Sequence, residues 1–377
     1  MTTSKSVFNP FSIMPYIGSE YFCNRHKEIG ELRNALYNRR NVTLSSPRRM
    51  GKTGLIRHLF QQISPKEVNC YYVDIYHTKN MYDFTKTFAE AILTQRITPF
   101  SERIWKEVST LFSSLRPVFS ADPVTGLPQC MVDIQPHKED LTLQQIFAYL
   151  EKSKQPCYVA FDEFQEVANY PEDKAEAILR TYIQQLTNVQ FIFAGSKNHL
   201  MAQIFLSPTR PFFQSTQMMN IDVIEEQAYF EFAAKHLAAH KQYIDANTFH
   251  ELYNIVKGHT WYVQALLNRI YQNSKMQIEY NDVLLALNQW LEENTVPYQT
   301  YCRLITDRQL AVLQAVAHEG EVSEIGSNAF LQKHQLGAHS TVRSAIAALE
   351  EKELLYNDNG VYSVYDRFFG IWLKGKV

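Results

Sequence analysis

Ser45-Ser46-Pro47-Arg48-Arg49-Met50-Gly51-Lys52-Thr53-Gly54 is the stretch on which the reading of this chain turns. A short β-rich run, Asn41 to Ser45, precedes it, and a segment carrying Leu55, Ile56, Leu59 and Phe60 at helical spacing follows. Strand, tight loop and helix in that order are the setting a phosphate-gripping loop requires. Backbone N–H groups at the helix start can wrap a β-phosphate, Lys52 can reach the β and γ oxygens, and the Thr53 hydroxyl can hold Mg²⁺. Ser46, Pro47, Arg48, Arg49, Met50, Gly51, Lys52, Thr53 and Gly54 are therefore the candidate nucleotide-binding residues. The full Walker A pattern has glycine where Ser46 stands, so the reading needs a second motif.

That motif is Cys157-Tyr158-Val159-Ala160-Phe161-Asp162-Glu163, an apolar run ending in two carboxylates, which reads as Walker B. Asp162 would orient Mg²⁺ through its water shell, and Glu163 would polarise the water that attacks a γ-phosphate. The next strand-like run, Gln190 to Ala194, leads into Gly195-Ser196, placing Ser196 where a sensor would meet the γ-phosphate or the water. Ser207-Pro208-Thr209-Arg210-Pro211 sets Arg210 in a proline-bounded loop, a candidate for stabilising transition-state charge and equally a surface residue.

Outward from these motifs, residues 24 to 220 alternate short β-rich runs with amphipathic stretches, which predicts a parallel sheet covered by helices. The predicted strands are Asn41–Ser45, Asn69–Ile75, Cys157–Phe161, Gln190–Ala194 and Met218–Asp222. A helix pair and a hairpin insertion, at about 100–138, fall between the second and third, with Asp122-Pro123-Val124-Thr125-Gly126 as the turn. From Glu225 to about Ile305 strand signals fade, and Phe230, Ala233, Leu237, Leu252, Ile255 and Val256 recur at helical spacing. The last stretch reads as three helices, the third with Ser340 as N-cap, then a hairpin turning at Asn357-Asp358-Asn359-Gly360: a winged helix. The organisation expected is an α/β domain over 1–223, a helical lid over 224–305 and a winged helix over 306–377.

Bulk composition narrows the function classes. At 377 residues the chain exceeds what one core usually supports. Its 37 Lys and Arg against 39 Asp and Glu give no global field for nucleic acid. The five cysteines lack C-x-x-C spacing, which fits a reducing, cytoplasmic setting better than a disulfide framework or a zinc site. No apolar run is long enough to span a bilayer, so no membrane partner is expected. His236 and His240 lie four apart on a predicted helix but lack the glutamate of a zinc protease between them. The numerous Phe and Tyr sit at core spacing and are assigned to packing.

Together these pieces resemble the archaeal-type ATPase family of the STAND branch of AAA+-related P-loop NTPases, over roughly residues 19 to 373. The resemblance rests on Phe22-Cys23-Asn24-Arg25-His26-Lys27-Glu28, Pro47-Arg48-Arg49-Met50-Gly51-Lys52-Thr53, Phe161-Asp162-Glu163-Phe164, Ala194-Gly195-Ser196, Ser207-Pro208 to Arg210, and Tyr365-Asp366-Arg367-Phe368-Phe369-Gly370-Ile371-Trp372-Leu373. It implies a P-loop NTPase with sheet order 5-1-4-3-2, a helical lid and a C-terminal winged helix. Adenine would lodge between the upstream box, Arg25 included, and the lid. The lid carries Gly258-His259-Thr260-Trp261-Tyr262 where relatives commonly have Gly-Gly-x-Pro, and no arginine stands there as a second sensor. A nuclease-like extension found in some relatives is not expected.

The function expected is that of a Mg²⁺-dependent ATPase working as a nucleotide-driven switch, with ATP and ADP as ligands and a protein partner whose identity is open. A DNA-binding regulator with a slow or structural nucleotide site is the alternative, and a partner-binding scaffold a third. Residues 301–377 hold eight basic against nine acidic side chains, a balance that disfavours DNA. Arg210 leaves open an oligomer in which it serves a neighbour's site.

Overall fold

The computed structural model describes residues 8–14, 16–97, 108–121, 128–273, 275–358 and 360–375, with backbone alone at 94–97, 117, 119–121 and 128–131. The chain divides into two compact units, one of residues 14–224 and one combining the first residues with 225–377.

The first unit is built on a parallel sheet. Its strands are β1 (Val42–Ser45), β2 (Asn69–Asp74), β3 (Cys157–Asp162), β4 (Val189–Gly195) and β5 (Gln217–Asn220). They stand in the order β5-β1-β4-β3-β2, as the resemblance implies, and every pair is parallel. Strands β1, β3 and β4 are buried at every residue, which is why they read as continuous apolar runs and not as alternations. Their side chains separate by parity onto two faces. Phe161, Phe191 and Phe193 join Phe84, Phe88, Phe164, Phe205 and Phe212 on one. Ala160, Ile192 and Ala194 meet Leu32, Leu55, Ile56 and Leu59 on the other. Many of the chain's phenylalanines thus gather on one sheet face, where Phe161 and Phe191 stack at 6.0 Å.

Between β2 and β3 come the helix Met81–Ile97, a helical turn at 108–111 and a hairpin pairing Leu115–Ala121 with Pro128–Ile134. The predicted turn Asp122 to Gly126 lies outside the described residues.

The second unit contains helices Glu226–Ala238, Ala246–Ile255, Thr260–Gln272, Tyr280–Glu293 and Thr295–Arg303, followed by the winged helix. Two features depart from the sequence reading. Tyr243–Ile244 and Gln277–Ile278 form a small parallel strand pair in a region read as purely helical; two residues are too few to show a period. Residues 8–13 pack here and not with the α/β unit to which the 1–223 assignment gave them. Phe11 is wholly buried, edge-on to Phe232, His236 and Tyr271, and Asn9 and Asn268 exchange hydrogen bonds with the backbone at Asn268 and Phe11.

In the winged helix, Asp307–Glu319, Asn328–Lys333 and His339–Glu351 precede the hairpin Leu355–Asp358 and Val361–Val364. Thr306 and Gln309 form a capping box on the first helix. The third helix starts earlier than a Ser340 cap would have it: Ala338 is the cap, and His339, bonded to Asn328 at 2.8 Å, opens the first turn. A further helix, Arg367–Lys374, closes the module with Asp366 as its cap. Its Phe368 packs with Trp261, Tyr262 and Trp290 of the preceding helices, so lid and winged helix share one core. Among the described residues no helix is long and apolar enough to cross a membrane.

Gly258, at φ +67, ends a helix where the Tyr253 ring lies over it, and an added Cβ would sit 2.7 Å from Tyr253 Cε1 and closer still to its hydroxyl end. Gly258→Ala should therefore lower stability by about 3 kcal/mol, from left-handed backbone strain plus the clash. In a Tyr253→Ala background the cost of the same change should fall to about 1–2 kcal/mol, the backbone part alone. Denaturant unfolding of the four proteins measures both.

Candidate functional site

Parallel register brings the polar strand ends together. Ser45 stands beside Gly195 and Asn220, and Asp74 beside Asp162. Beyond them β1 runs into the loop 46–51 and the helix Lys52–Gln62. Two left-handed residues, Arg49 (φ 65) and Gly51 (φ 97), make the turn, and Gly51 is the cap of that helix. Such conformations suit glycine and cost a larger residue about 1–2 kcal/mol.

Lys52 is 6 % exposed and its ammonium points back into the loop, donating to Ser46 O (2.7 Å), Pro47 O (3.0 Å) and Ser46 Oγ (3.2 Å). Burial pushes its pKa down to about 8, with Glu163 and Asp162 pulling it up and Arg48 adding to the depression. Thr53 Oγ1 donates to Asp162 Oδ2 at 2.6 Å, tying the loop to the end of β3. Tyr72 donates to the same oxygen at 2.6 Å, and the Glu163 N–H reaches Oδ1 at 3.1 Å. Burial raises the Asp162 carboxyl above its usual range, while the Thr53 and Tyr72 bonds oppose that rise. The Tyr72 hydroxyl is raised by burial and by Asp162, and Arg57 lies over its ring at 4.6 Å.

Glu163 takes a left-handed backbone, φ 58. Its Oε2 accepts from Ser196 Oγ at 2.7 Å and from Gln165 Nε2 at 2.6 Å. Arg48 Nε reaches Ser196 Oγ at 3.5 Å, so loop, β3 and β4 are linked through these polar groups. Ser45 Oγ donates to Asn198 at the head of the helix after β4.

Arg25 is buried outside the loop. Its guanidinium donates to Glu28 and Asp222 O at 2.6 Å each and to Met50 O at 3.1 Å, a bracket on the loop's outer edge. Gly54 faces Phe22, whose ring stacks on His58 at 4.2 Å. Arg210 is not hydrogen-bonded to this cluster. It forms an ion pair with Glu176, a largely buried carboxylate on the helix Ala175–Ile183, raised by burial and lowered by Arg210.

Sequence reasoning missed Tyr72, Gln165 and Glu176. Tyr72 lies on a strand whose neighbour only the fold reveals, and Glu176 looks like any helical surface acid. Gln165 carried a usable signal, its place two residues after Glu163.

Comparison with known proteins bears on the fold. Residues 296–375 match a family model described as a "Probable winged helix domain". No curated protein matches the chain. Among solved structures, the Walker-type ATPase of Pyrococcus abyssi is similar at TM-score 0.66 and 15% identity, over 97% of this chain and 99% of that one. The ORC2 protein of Aeropyrum pernix, in ADPNP–ADP complexes, aligns at TM-score 0.59 and 13% identity, over 98% of each chain. The ORC1 protein of Aeropyrum pernix, in complex with DNA, aligns at 0.53 and 12%, over 98% of this chain and 96% of that one. The fold is thus one these structures share, a parallel α/β sheet domain with a C-terminal winged helix.

A lysine depressed to about 8 in the folded state and near 10.5 when unfolded binds fewer protons folded than unfolded between those values. Its charge therefore opposes folding below pH 8, and that penalty fades as pH rises from 8 to 10.5. The stability of Lys52→Met relative to the natural chain should accordingly fall by about 2 kcal/mol between pH 7 and pH 10. Unfolding curves at the two pH values test this, and a difference independent of pH contradicts the buried-charge assignment.

Proposed function

We propose that this protein is a Mg²⁺-dependent ATPase of the STAND branch, converting ATP and water to ADP and phosphate, with the cycle serving as a conformational switch. One observation carries the reading: the hydrogen-bonded line from Thr53 through Asp162 to Glu163 and Ser196 couples the loop to both strand ends that hydrolysis needs. Lys52 and the N–H groups of the loop bind the phosphates. Residues Ser46 to Gly54 cradle them, and Arg25 braces that cradle through Met50 O.

The oxygens at the loop suit the metal. A hydroxyl and a carboxylate 2.6 Å apart, Thr53 and Asp162, are the small protein share of a Mg²⁺ site, which waters and phosphate oxygens complete. Bound there, Mg²⁺ would neutralise charge on the phosphates. Glu163 then accepts the proton of the attacking water, and Ser196 holds that carboxylate in place. The nucleotide complexes of the similarly folded ORC2 protein favour the same ligand class.

The alternative, a DNA-binding regulator, is favoured by the fold shared with a protein solved on DNA. Against it, several basic groups of the winged helix are already engaged: Arg308 with Leu336 O, Lys333 with Glu319, Lys352 with Leu304 O, and Arg367 beside Glu321. The module therefore serves packing and protein contact in this reading, in a cytoplasmic protein whose partner is another protein.

Lys52→Ala should weaken ATP–Mg²⁺ binding by at least about a hundredfold, since charge-assisted bonds to phosphate are lost. Glu163→Gln should bind ATP normally and turn over at least about a hundredfold more slowly. Equilibrium nucleotide titration and phosphate release measure the two; normal binding by the first variant or normal turnover by the second removes the assignment.

Arg210 is assigned the role of a finger, within its own chain or on a neighbour. Arg210→Ala should slow turnover at least about tenfold and also destabilise the fold, because Glu176 loses its partner. Arg210→Met with Glu176→Leu should restore the stability but not the rate. Rate and melting temperature recovering together would reduce Arg210 to a structural ion pair. Recovery of activity on mixing Arg210→Ala with Lys52→Ala chains would place its action between chains.

A further inference from the structure

Gln165 is wholly buried in the short turn Phe164–Asn169 that follows Glu163. Its Nε2 donates to Glu163 Oε2 at 2.6 Å and weakly to Glu166 Oε1 at 3.4 Å. Its other end is unpaid: Oε1 is buried without a hydrogen-bond partner. An orphaned buried acceptor costs about 1–3 kcal/mol. Turning the amide over would not help, because its oxygen would then face a carboxylate.

The amide sits in space that Gly195 leaves. A Cβ on Gly195 would lie 2.5 Å from Gln165 Oε1 and 2.6 Å from Met201 Cγ, so the absence of a side chain there admits both neighbours. The next residue, Ser196, donates to the same Glu163 oxygen. Glu163 Oε2 thus accepts two hydrogen bonds, while Oε1 accepts none from the described residues. The left-handed backbone of Glu163 needs such external support to persist.

We propose that Gln165 is a positioning residue for hydrolysis, clamping with Ser196 one oxygen of Glu163 so that the other, Oε1, is presented to the attacking water. This rests on the ATPase reading above. Rotation of the carboxylate would break both bonds, so Oε1 is held in one direction. Proton transfer is sensitive to displacements well under an ångström in the position of the base. A buried glutamine with an orphaned oxygen is accounted for by this role and not by packing.

The test compares the natural chain with Gln165→Met, Glu163→Gln and the double variant. Methionine fills nearly the same volume, and removal of the orphaned oxygen offsets the lost bond to Glu163, so Gln165→Met should melt close to the natural chain. Its ATP affinity should stay within about twofold while kcat falls at least about tenfold. In the Glu163→Gln background the same change should cost no further rate. A natural rate in Gln165→Met, or an equal rate loss with and without the Glu163 carboxylate, overturns the clamp. If the natural chain and Glu163→Gln hydrolyse ATP equally, it is the ATPase reading that fails. The clamp is then decided by unfolding of Gln165→Met, Glu163→Ala and their combination: coupling of at least about twofold in the unfolding equilibrium sustains it, and additivity overturns it.

Discussion

Five short strands end at one level because they are parallel and in register, and the polar cluster at their ends depends on that alignment. Strands β1, β3 and β4 are covered on both sides, so a slip of one residue would exchange the face carrying Phe161, Phe191 and Phe193 for the face carrying Ala160, Ile192 and Ala194. The volumes of the two sets are so different that the register has no near alternative. The same alignment that packs the phenylalanines places Thr53, Asp162, Glu163 and Ser196 within hydrogen-bonding distance of one another in sequence.

Polar groups at this level are held under tension with the apolar layers beneath. Lys52 is a buried ammonium, Asp162 a buried carboxylate, and Arg49 and Glu163 occupy backbone regions that non-glycine residues avoid. Each costs stability, and the two aromatic and aliphatic layers offset the sum. Arg25 contributes differently, by fastening three segments distant in the chain, at Glu28, Met50 and Asp222, around the loop.

How much of this could be read from the amino-acid sequence differs by element. Strands β1, β3 and β4 are legible because burial on both faces leaves an unbroken apolar run, with the Gly-Lys-Thr triplet a short loop beyond β1 and the Asp-Glu pair at the end of β3. The strand order did not follow from periodicity and came only with the family resemblance. Tyr72 was invisible because its partner, Asp162, lies on a strand some ninety positions away. Arg210 was conspicuous beside its prolines, yet its ion pair with Glu176 depends on a helix whose facing the sequence left open. The strand pair at Tyr243 and Gln277 buries Ile244 and Ile278 but is only two residues long on each side, too short for a side-chain pattern to show.

Phe11 bears on how the chain reaches this state. Its ring is enclosed by Phe232, His236 and Tyr271, so the first described segment completes a core whose remaining members are synthesised more than two hundred residues later. During translation that segment must wait, apolar and unpartnered, while the whole α/β unit emerges between it and its destination. The helical unit is therefore not a contiguous stretch that can be cut out of the gene. A fragment beginning at Glu225 would carry an open aromatic socket, and a short peptide spanning residues 8–13 is the piece shaped to fill it.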